Sequence, residues 1–408
     1  MEVFEIVAMD ILSKGKSPFY PGQPVPVELF VGREEQIERI LTRGAAQVEH
    51  GKPMAFFVEG EYGIGKSSLA RYVEYRAEKK HHLLGIYATL GAARSIDDVG
   101  SAILKAAAES GSLDQSRAES IRNWLSKYLG EQSLFGLTIH ADALKKEGPN
   151  IAQGALPFLR DVLGRVRDTG VSGILLILDE INGISANPAF AHFIKGLVDS
   201  NALSRQPLSL LLMLCGTPDR RRQMIACHQP VERIFDVVDI ERLSKNEMKR
   251  FFTNAFESVN MQADDAAMEV MTNFSAGFPK IMHLVGDNAF WADSDSVVSE
   301  GDAWMAVFNA ADEVGKKYVD QQVYSALKSK DYQSILKRIA HVGPLGSFFK
   351  KDIEKGLTDA QKKKLNNFLQ RMKKLNVLRS GESPGEYVFN VRMVQLYIWL
   401  KEEVRARR

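Results

Sequence analysis

The chain of 408 residues predicts a doubly wound α/β fold with a parallel sheet, followed by a helical segment and a C-terminal winged helix. Three observations carry that prediction. Apolar runs of strand length, such as Gly173-Ile174-Leu175-Leu176-Ile177-Leu178 and Leu208-Ser209-Leu210-Leu211-Leu212-Met213-Leu214, lack the alternation of a half-exposed strand. Such runs are expected when helices cover both faces of a parallel sheet. Between another of these strands, Met54 to Val58, and a helix from about Lys66 to Lys80, the segment Gly60-Glu61-Tyr62-Gly63-Ile64-Gly65-Lys66-Ser67 fits G-x-x-x-x-G-K-[ST]. Near the C-terminus, three helical patterns are followed by two short strands around a glycine turn.

In chain order, a turn-rich lead-in, Pro18 to Pro26, precedes Phe30-Val31-Gly32-Arg33-Glu34-Glu35 and an amphipathic helix carrying Ile37, Ile40 and Leu41. Strand Met54 to Val58, the phosphate loop and its helix follow, and Leu83 to Ala88 reads as the next strand. Ser95-Ile96-Asp97-Asp98 has the form of a capping box and opens a region, to about Arg167, that reads as largely helical. The strands at 173–178 and 208–214 and a further one from Phe235 to Ile240 complete a sheet whose carboxyl ends would hold phosphates. After Leu243, Met248, Phe251, Phe252 and Phe256 recur at helix spacing, and Gly277-Phe278-Pro279 interrupts the pattern ahead of another helix, as in a small helical lid. From about residue 328, Ile335, Leu336 and Ile339 mark one helix, Ile353 a second, and Leu365, Phe368, Leu369 and Met372 a third; Val377-Leu378-Arg379 and Tyr387-Val388-Phe389 form the wing. The expected domains are 1–243 (with 1–29 as lead-in), 244–327 and 328–408.

With 45% hydrophobic and 25% charged residues, the chain is long enough for two or three cored units and fits no disorder class. A formal charge of +2 identifies no partner by itself. Cys215 and Cys227 offer neither a disulfide framework nor zinc spacing, the start lacks a basic signal-peptide region, and no apolar run reaches the roughly 18 residues of a membrane span. A cytoplasmic protein with no membrane contact is expected.

The phosphate loop implies a P-loop NTPase. Gly60, Gly63 and Gly65 let backbone N–H groups turn inward around phosphate oxygens, and the N-terminus of the following helix adds a favourable dipole. Lys66 would reach the β- and γ-phosphates, Ser67 would hold Mg²⁺, and Ser68 completes the phosphate-binding run. Leu178-Asp179-Glu180 closes an apolar strand, which suits Asp179 to Mg²⁺ and Glu180 to general-base activation of water. Thr217, at the end of the next apolar strand, is a polar group for the γ-phosphate or its water. Arg233 precedes the last core strand and suits an arginine finger reaching a neighbouring subunit, or else a surface ion pair with Glu232 or Glu241. Arg220, Arg221 and Arg222 read as a solvated face or a nucleic-acid contact, with phosphate sensing a third option. Lys280, at the opening of a lid helix, is either a sensor of the phosphates or solvent-exposed. A dinucleotide-binding G-x-G-x-x-G fails because Ser68 stands where its third glycine should.

Charge segregates in the C-terminal part. Lys350, Lys351, Lys355, Lys362, Lys363, Lys364, Arg371, Lys373, Lys374 and Arg379 face only Asp352, Glu354 and Asp359 over the same stretch. Its third helix would lie in a DNA major groove, Lys362, Lys363, Lys364, Arg371, Lys373 and Lys374 contacting phosphates and Asn366, Asn367 and Gln370 reading bases. The alternative is a winged helix that docks protein.

In this order, the motifs resemble the AAA+ ATPases of the origin-recognition type and the neighbouring STAND ATPases, over most of residues 20–408. The resemblance implies that Phe30-Val31-Gly32-Arg33-Glu34-Glu35 borders the adenine pocket, with Val31 against the base. It makes Gly60 to Ser67 the Walker A motif, Leu178-Asp179-Glu180 Walker B, Thr217 sensor 1 and Arg233 the arginine finger. Gly277-Phe278-Pro279 is similar to the G-x-P motif of STAND proteins, and Lys280 stands where the origin-recognition pattern carries arginine. The family implies a slow, Mg²⁺-dependent ATPase that works as a switch: a homo-oligomer that assembles on double-stranded DNA and recruits or licenses a protein partner. The competing implication is a STAND-like signalling ATPase whose winged helix docks protein.

Overall fold

A computed structural model describes residues 14–110, 115–129, 154–325, 327, 329–341, 347–375, 377–381 and 383–406. The part of the expected helical region at 130–153 and the chain start at 1–13 lie outside the described residues. The chain forms two compact units, one over 24–241 and one that joins residues before 24 to 242–408.

The first unit is built on five parallel strands: β1 (Met54–Gly60), β2 (Leu83–Thr89), β3 (Gly173–Asp179), β4 (Leu210–Gly216) and β5 (Asp236–Ile240). Their order across the sheet is β2-β3-β4-β1-β5. β3 and β4 are buried along their whole length, as the unalternating apolar runs require. On one face, Phe57, Leu176, Leu178, Leu212 and Leu214 join a single core with residues of α3 (Ile96–Glu109), α5 (Ala155–Val166) and α6 (Pro188–Ala202). At Gly44 the opposite face is met: the turn Leu41–Ala45 that continues α1 (Glu34–Ile40) comes so close to Phe56 and Leu211 that a side chain there would strike the Phe56 ring. Longer helices of this unit also include α2 (Lys66–His81), α4 (Gln115–Leu129) and α7 (Pro218–Cys227). The Ser95 capping box forms, with Ser95 accepting from the Asp98 amide and Asp98 from the Ser95 amide.

The second unit opens with α8 (Lys245–Glu257), α9 (Asp265–Ser275), α10 (Pro279–Ala292) and α11 (Glu300–Val314), with β6 (Gln262–Ala263) paired to β7 (Val297–Val298). Gly277 has a left-handed backbone, and a Cβ on it would stand 2.6 Å from the Leu243 carbonyl oxygen. That contact explains the glycine of the Gly277-Phe278-Pro279 motif, while Pro279 starts α10 with the fixed φ a first helical turn accepts. The C-terminal part holds α12 (Lys330–His341), α13 (Lys350–Glu354), α14 (Asp359–Lys374) and α15 (Arg392–Ala406). Strands β8 (Phe348–Phe349), β9 (Leu378–Ser380) and β10 (Glu386–Phe389) form an antiparallel sheet in the order β8-β10-β9. Its core, from Ile335 and Leu365 through Phe389, also takes in Val319 and Val323 from the helical turn Gly315–Tyr324 that continues α11. The expected division at 327/328 is therefore bridged by one apolar cluster.

Residues 14–23, grouped by sequence with the nucleotide-binding unit, pack into the second unit instead. Phe19 is buried among Phe251, Phe256 and His283, with ring centroids 5.9, 5.2 and 6.3 Å away. Lys14 caps the end of α10 through the Phe290 and Asp293 carbonyls and pairs with the buried Asp293 carboxylate at 3.2 Å. Tyr20 donates its amide to His283 Nδ1 at 3.1 Å, while His283 Nε2 is buried with no partner. Burial holds the His283 pKa down at about 4. The unfolded chain takes up this proton near 6.5. Acid therefore favours unfolding, and stability present above pH ~6.5 is lost as pH falls towards 4. Urea denaturation at about pH 7 and about pH 5 is expected to show part of this loss, up to about 2 kcal/mol. A His283→Leu variant should show a flatter pH dependence.

Candidate functional site

Parallel strands put all their carboxyl ends on one edge of the sheet, and there the chain places the phosphate loop after β1, Asp179 and Glu180 at the end of β3, and Thr217 after β4. The strand carrying Asp179 is not the neighbour of β1. β4 lies between them, with Phe57 opposite Leu214 and Leu178 also opposite Leu214, so Thr217 rather than Asp179 follows the strand beside the loop.

Gly65 is left-handed at φ 97° immediately before α2, the turn that aims the first helical amides into the loop. Gly60 passes so close to β5 that a Cβ would stand 2.7 Å from the Ile240 carbonyl oxygen. Lys66 Nζ folds back to donate to the Gly60 and Glu61 carbonyls at 3.0 and 2.8 Å. Burial lowers its pKa, against the opposing effect of Cys215 and Asp179. Ser68 Oγ accepts from the Val25 amide at 3.3 Å, so it braces the preceding segment. Val31 is half-buried, just before the left-handed Arg33 that starts α1.

Asp179 is buried, at 3% exposure. One of its oxygens accepts from the Glu180 amide at 2.8 Å and the other from the Tyr87 hydroxyl at 2.6 Å. Glu180 is exposed and held at φ 55°, a left-handed conformation that costs a non-glycine residue about 1–2 kcal/mol. Strain of this kind persists where the surroundings over-determine it. A buried carboxylate and the Ser67 hydroxyl are hard oxygen donors of the kind Mg²⁺ takes.

Three charged groups, Arg33, Glu59 and Arg221, brace the loop through contacts that the sequence does not show. Arg33 is buried and donates to the Ile64 carbonyl inside the loop at 2.6 Å and to the Glu241 carbonyl after β5 at 2.8 Å. Glu59, the last charge of an apolar strand, is buried and takes a two-pronged ion pair from Arg221 of α7, at 2.6 and 3.4 Å. Both had a visible signal: Arg33 stands inside the Phe30–Glu35 segment, and Glu59 is a charge within an otherwise apolar strand. Arg221 is accordingly not part of a solvated run, whereas Arg222 pairs with Asp219 at the surface. Thr217, Asp219, Arg220, Arg222, Gln223 and Ala226 line a cleft of about 440 Å³ at the start of α7.

Arg233 lies exposed on the short helix Gln229–Ile234. Among the described residues it makes no ion pair with Glu232 or Glu241. Lys280 is exposed on the first turn of α10, in the second unit.

Residues 29–224 match the family described as AAA ATPase domain. The fold is that of a P-loop AAA+ NTPase. Two solved structures are similar over nearly the whole chain. The Aeropyrum pernix ORC2 protein, solved in ADPNP–ADP complexes, has a TM-score of 0.59 and 14% identity, covering 97% of this chain and 98% of that one. A Walker-type ATPase of Pyrococcus abyssi has a TM-score of 0.53 and 17% identity, covering 91% and 96%. No curated protein matches the chain in sequence. At these identities the likeness extends to the AAA+ fold, not to residue roles.

Replacing Arg33 by Met leaves the Ile64 and Glu241 carbonyls without their charged donor. The Arg33→Met variant is expected to lose about 2–4 kcal/mol in urea denaturation, against less than about 0.5 kcal/mol for Arg222→Met at the surface.

Proposed function

We propose that this protein is an ATP-binding and hydrolysing switch that assembles as an oligomer on double-stranded DNA and recruits protein partners. The observation that carries the nucleotide reading is the convergence of Lys66, Asp179, Glu180 and Thr217 on one edge of the AAA+ sheet. In this reading the loop amides and Lys66 bind the phosphates, Val31 borders the adenine, and Ser67 and Asp179 hold Mg²⁺. The cation would supply charge neutralisation on the phosphate oxygens. Glu180 orients and deprotonates the attacking water, and Thr217 fixes that water or the γ-phosphate. The exposed, unpaired Arg233 is assigned to a neighbouring subunit's γ-phosphate. The setting assigned is cytoplasmic; among the described residues no helix is long and apolar enough to cross a membrane, and both cysteines are free.

The DNA reading rests on α14, taken as the third helix of a winged helix. Lys363, Asn367, Arg371 and Lys374 are all exposed and follow one another at helical spacing, forming a single stripe. No ion pair within the described residues engages its three cations. Lys364 and Lys362, expected to contact DNA phosphates, pair instead with Asp331 at 2.6 Å and Asp359 at 3.5 Å. Lys373 donates to Ser380 at 2.6 Å. This partial neutralisation favours the second reading, a signalling ATPase whose winged helix docks protein, and makes the stripe the discriminating surface.

Fluorescence anisotropy of labelled duplex DNA, with ATP, ADP or no nucleotide, tests the choice. Binding that strengthens with ATP and is lost in a Lys363→Glu/Arg371→Glu/Lys374→Glu variant is expected, with a salt slope of about 0.9 per phosphate contact in the wild type. No binding in any state selects the protein-docking reading. In the same preparations, Glu180→Gln is expected to keep ATP affinity and lose about 100-fold or more in hydrolysis, measured as released phosphate.

A further inference from the structure

Tyr87 had no signal in sequence, because its neighbourhood is made by strand pairing. The parallel register sets Thr89 opposite Asp179 and Tyr87 opposite Ile177, so Tyr87 and Asp179 share a face of the sheet as diagonal neighbours. Its hydroxyl donates to Asp179 Oδ2 at 2.6 Å, and with the Glu180 amide on Oδ1 both carboxylate oxygens are held from fixed directions. The ring is clamped in turn: the Arg71 guanidinium sits 3.5 Å from its centroid, and Arg71 is itself tethered to Glu74 at 2.9 Å.

Lys66 donates to the Gly60 and Glu61 carbonyls rather than to Asp179. Each oxygen that accepts one hydrogen bond retains a second lone pair, so the Tyr87 bond leaves Asp179 able to coordinate.

We propose that Tyr87 is a positioning residue of the nucleotide site, holding the Asp179 carboxylate in a fixed orientation for Mg²⁺. This rests on the nucleotide reading above. Partners that orient a metal ligand typically govern metal affinity as strongly as they govern geometry.

A fluorescent ATP analogue titrated against the full chain, first in EDTA and then across a Mg²⁺ series, separates the two claims. Tyr87→Phe keeps the ring and the Arg71 stacking and loses only the hydroxyl. It is expected to raise the Mg²⁺ midpoint roughly tenfold while leaving affinity in EDTA within about twofold. In an Asp179→Asn background, Tyr87→Phe should add no further shift, a non-additivity that general loosening of the sheet would not produce. An unchanged Mg²⁺ midpoint, or equal weakening with and without Mg²⁺, overturns the assignment. Failure of the wild-type chain to bind the analogue in either condition overturns the nucleotide reading and this inference with it.

Discussion

Because β4 lies between β1 and β3, the edge of the sheet presents the phosphate loop, Thr217 and Asp179 in that lateral order, and every polar group of the site hangs from that spacing. Parallel pairing enforces the rest. Strands running the same way end together, and their connecting helices cover both faces, so the carboxyl-terminal edge is where loops can carry polar side chains without burying unpaired backbone.

Such an edge must hold charges near a low-dielectric core, and here each buried charge has a partner of matching geometry. Arg33 satisfies two carbonyls, Glu59 is met by a two-pronged Arg221, and Asp179 takes two hydrogen bonds. Removing one side of such a set leaves a buried charge or carbonyl exposed to its full desolvation cost. The Glu59–Arg221 pair also ties the strand that feeds the phosphate loop to α7, which begins directly after Thr217. Mechanical continuity between the loop and the segment leading to Arg233 follows from that tie and from the packing of α7 on the helix Gln229–Ile234.

The second unit shows the same economy with apolar groups. Phe19 and Tyr20 insert among Phe251, Phe256 and His283, where burial strips His283 of its usual basicity and leaves one ring nitrogen unpaired. In the C-terminal part, acidic residues on neighbouring turns and on α12 cancel part of the lysine surplus, while Lys363, Arg371 and Lys374, which no ion pair among the described residues engages, fall on one line of α14.

Local signals in the sequence determined the elements. Unalternating apolar runs became β3 and β4, the glycines and lysine of residues 60–66 became a left-handed turn feeding a helix, Ser95 became a cap, and Gly277-Phe278-Pro279 became a helix start. These are properties of a few consecutive residues, decided by backbone sterics, hydrogen-bonding reach and periodicity. Only the tertiary structure decided which strand lies beside which, that Tyr87 meets Asp179, that Arg33 reaches Ile64, that Asp331 neutralises Lys364, and that residues 14–23 pack with the second unit. Periodicity tells which face of an element is apolar but not which distant element will cover it. That choice is made by packing and charge pairing among residues tens to hundreds of positions apart.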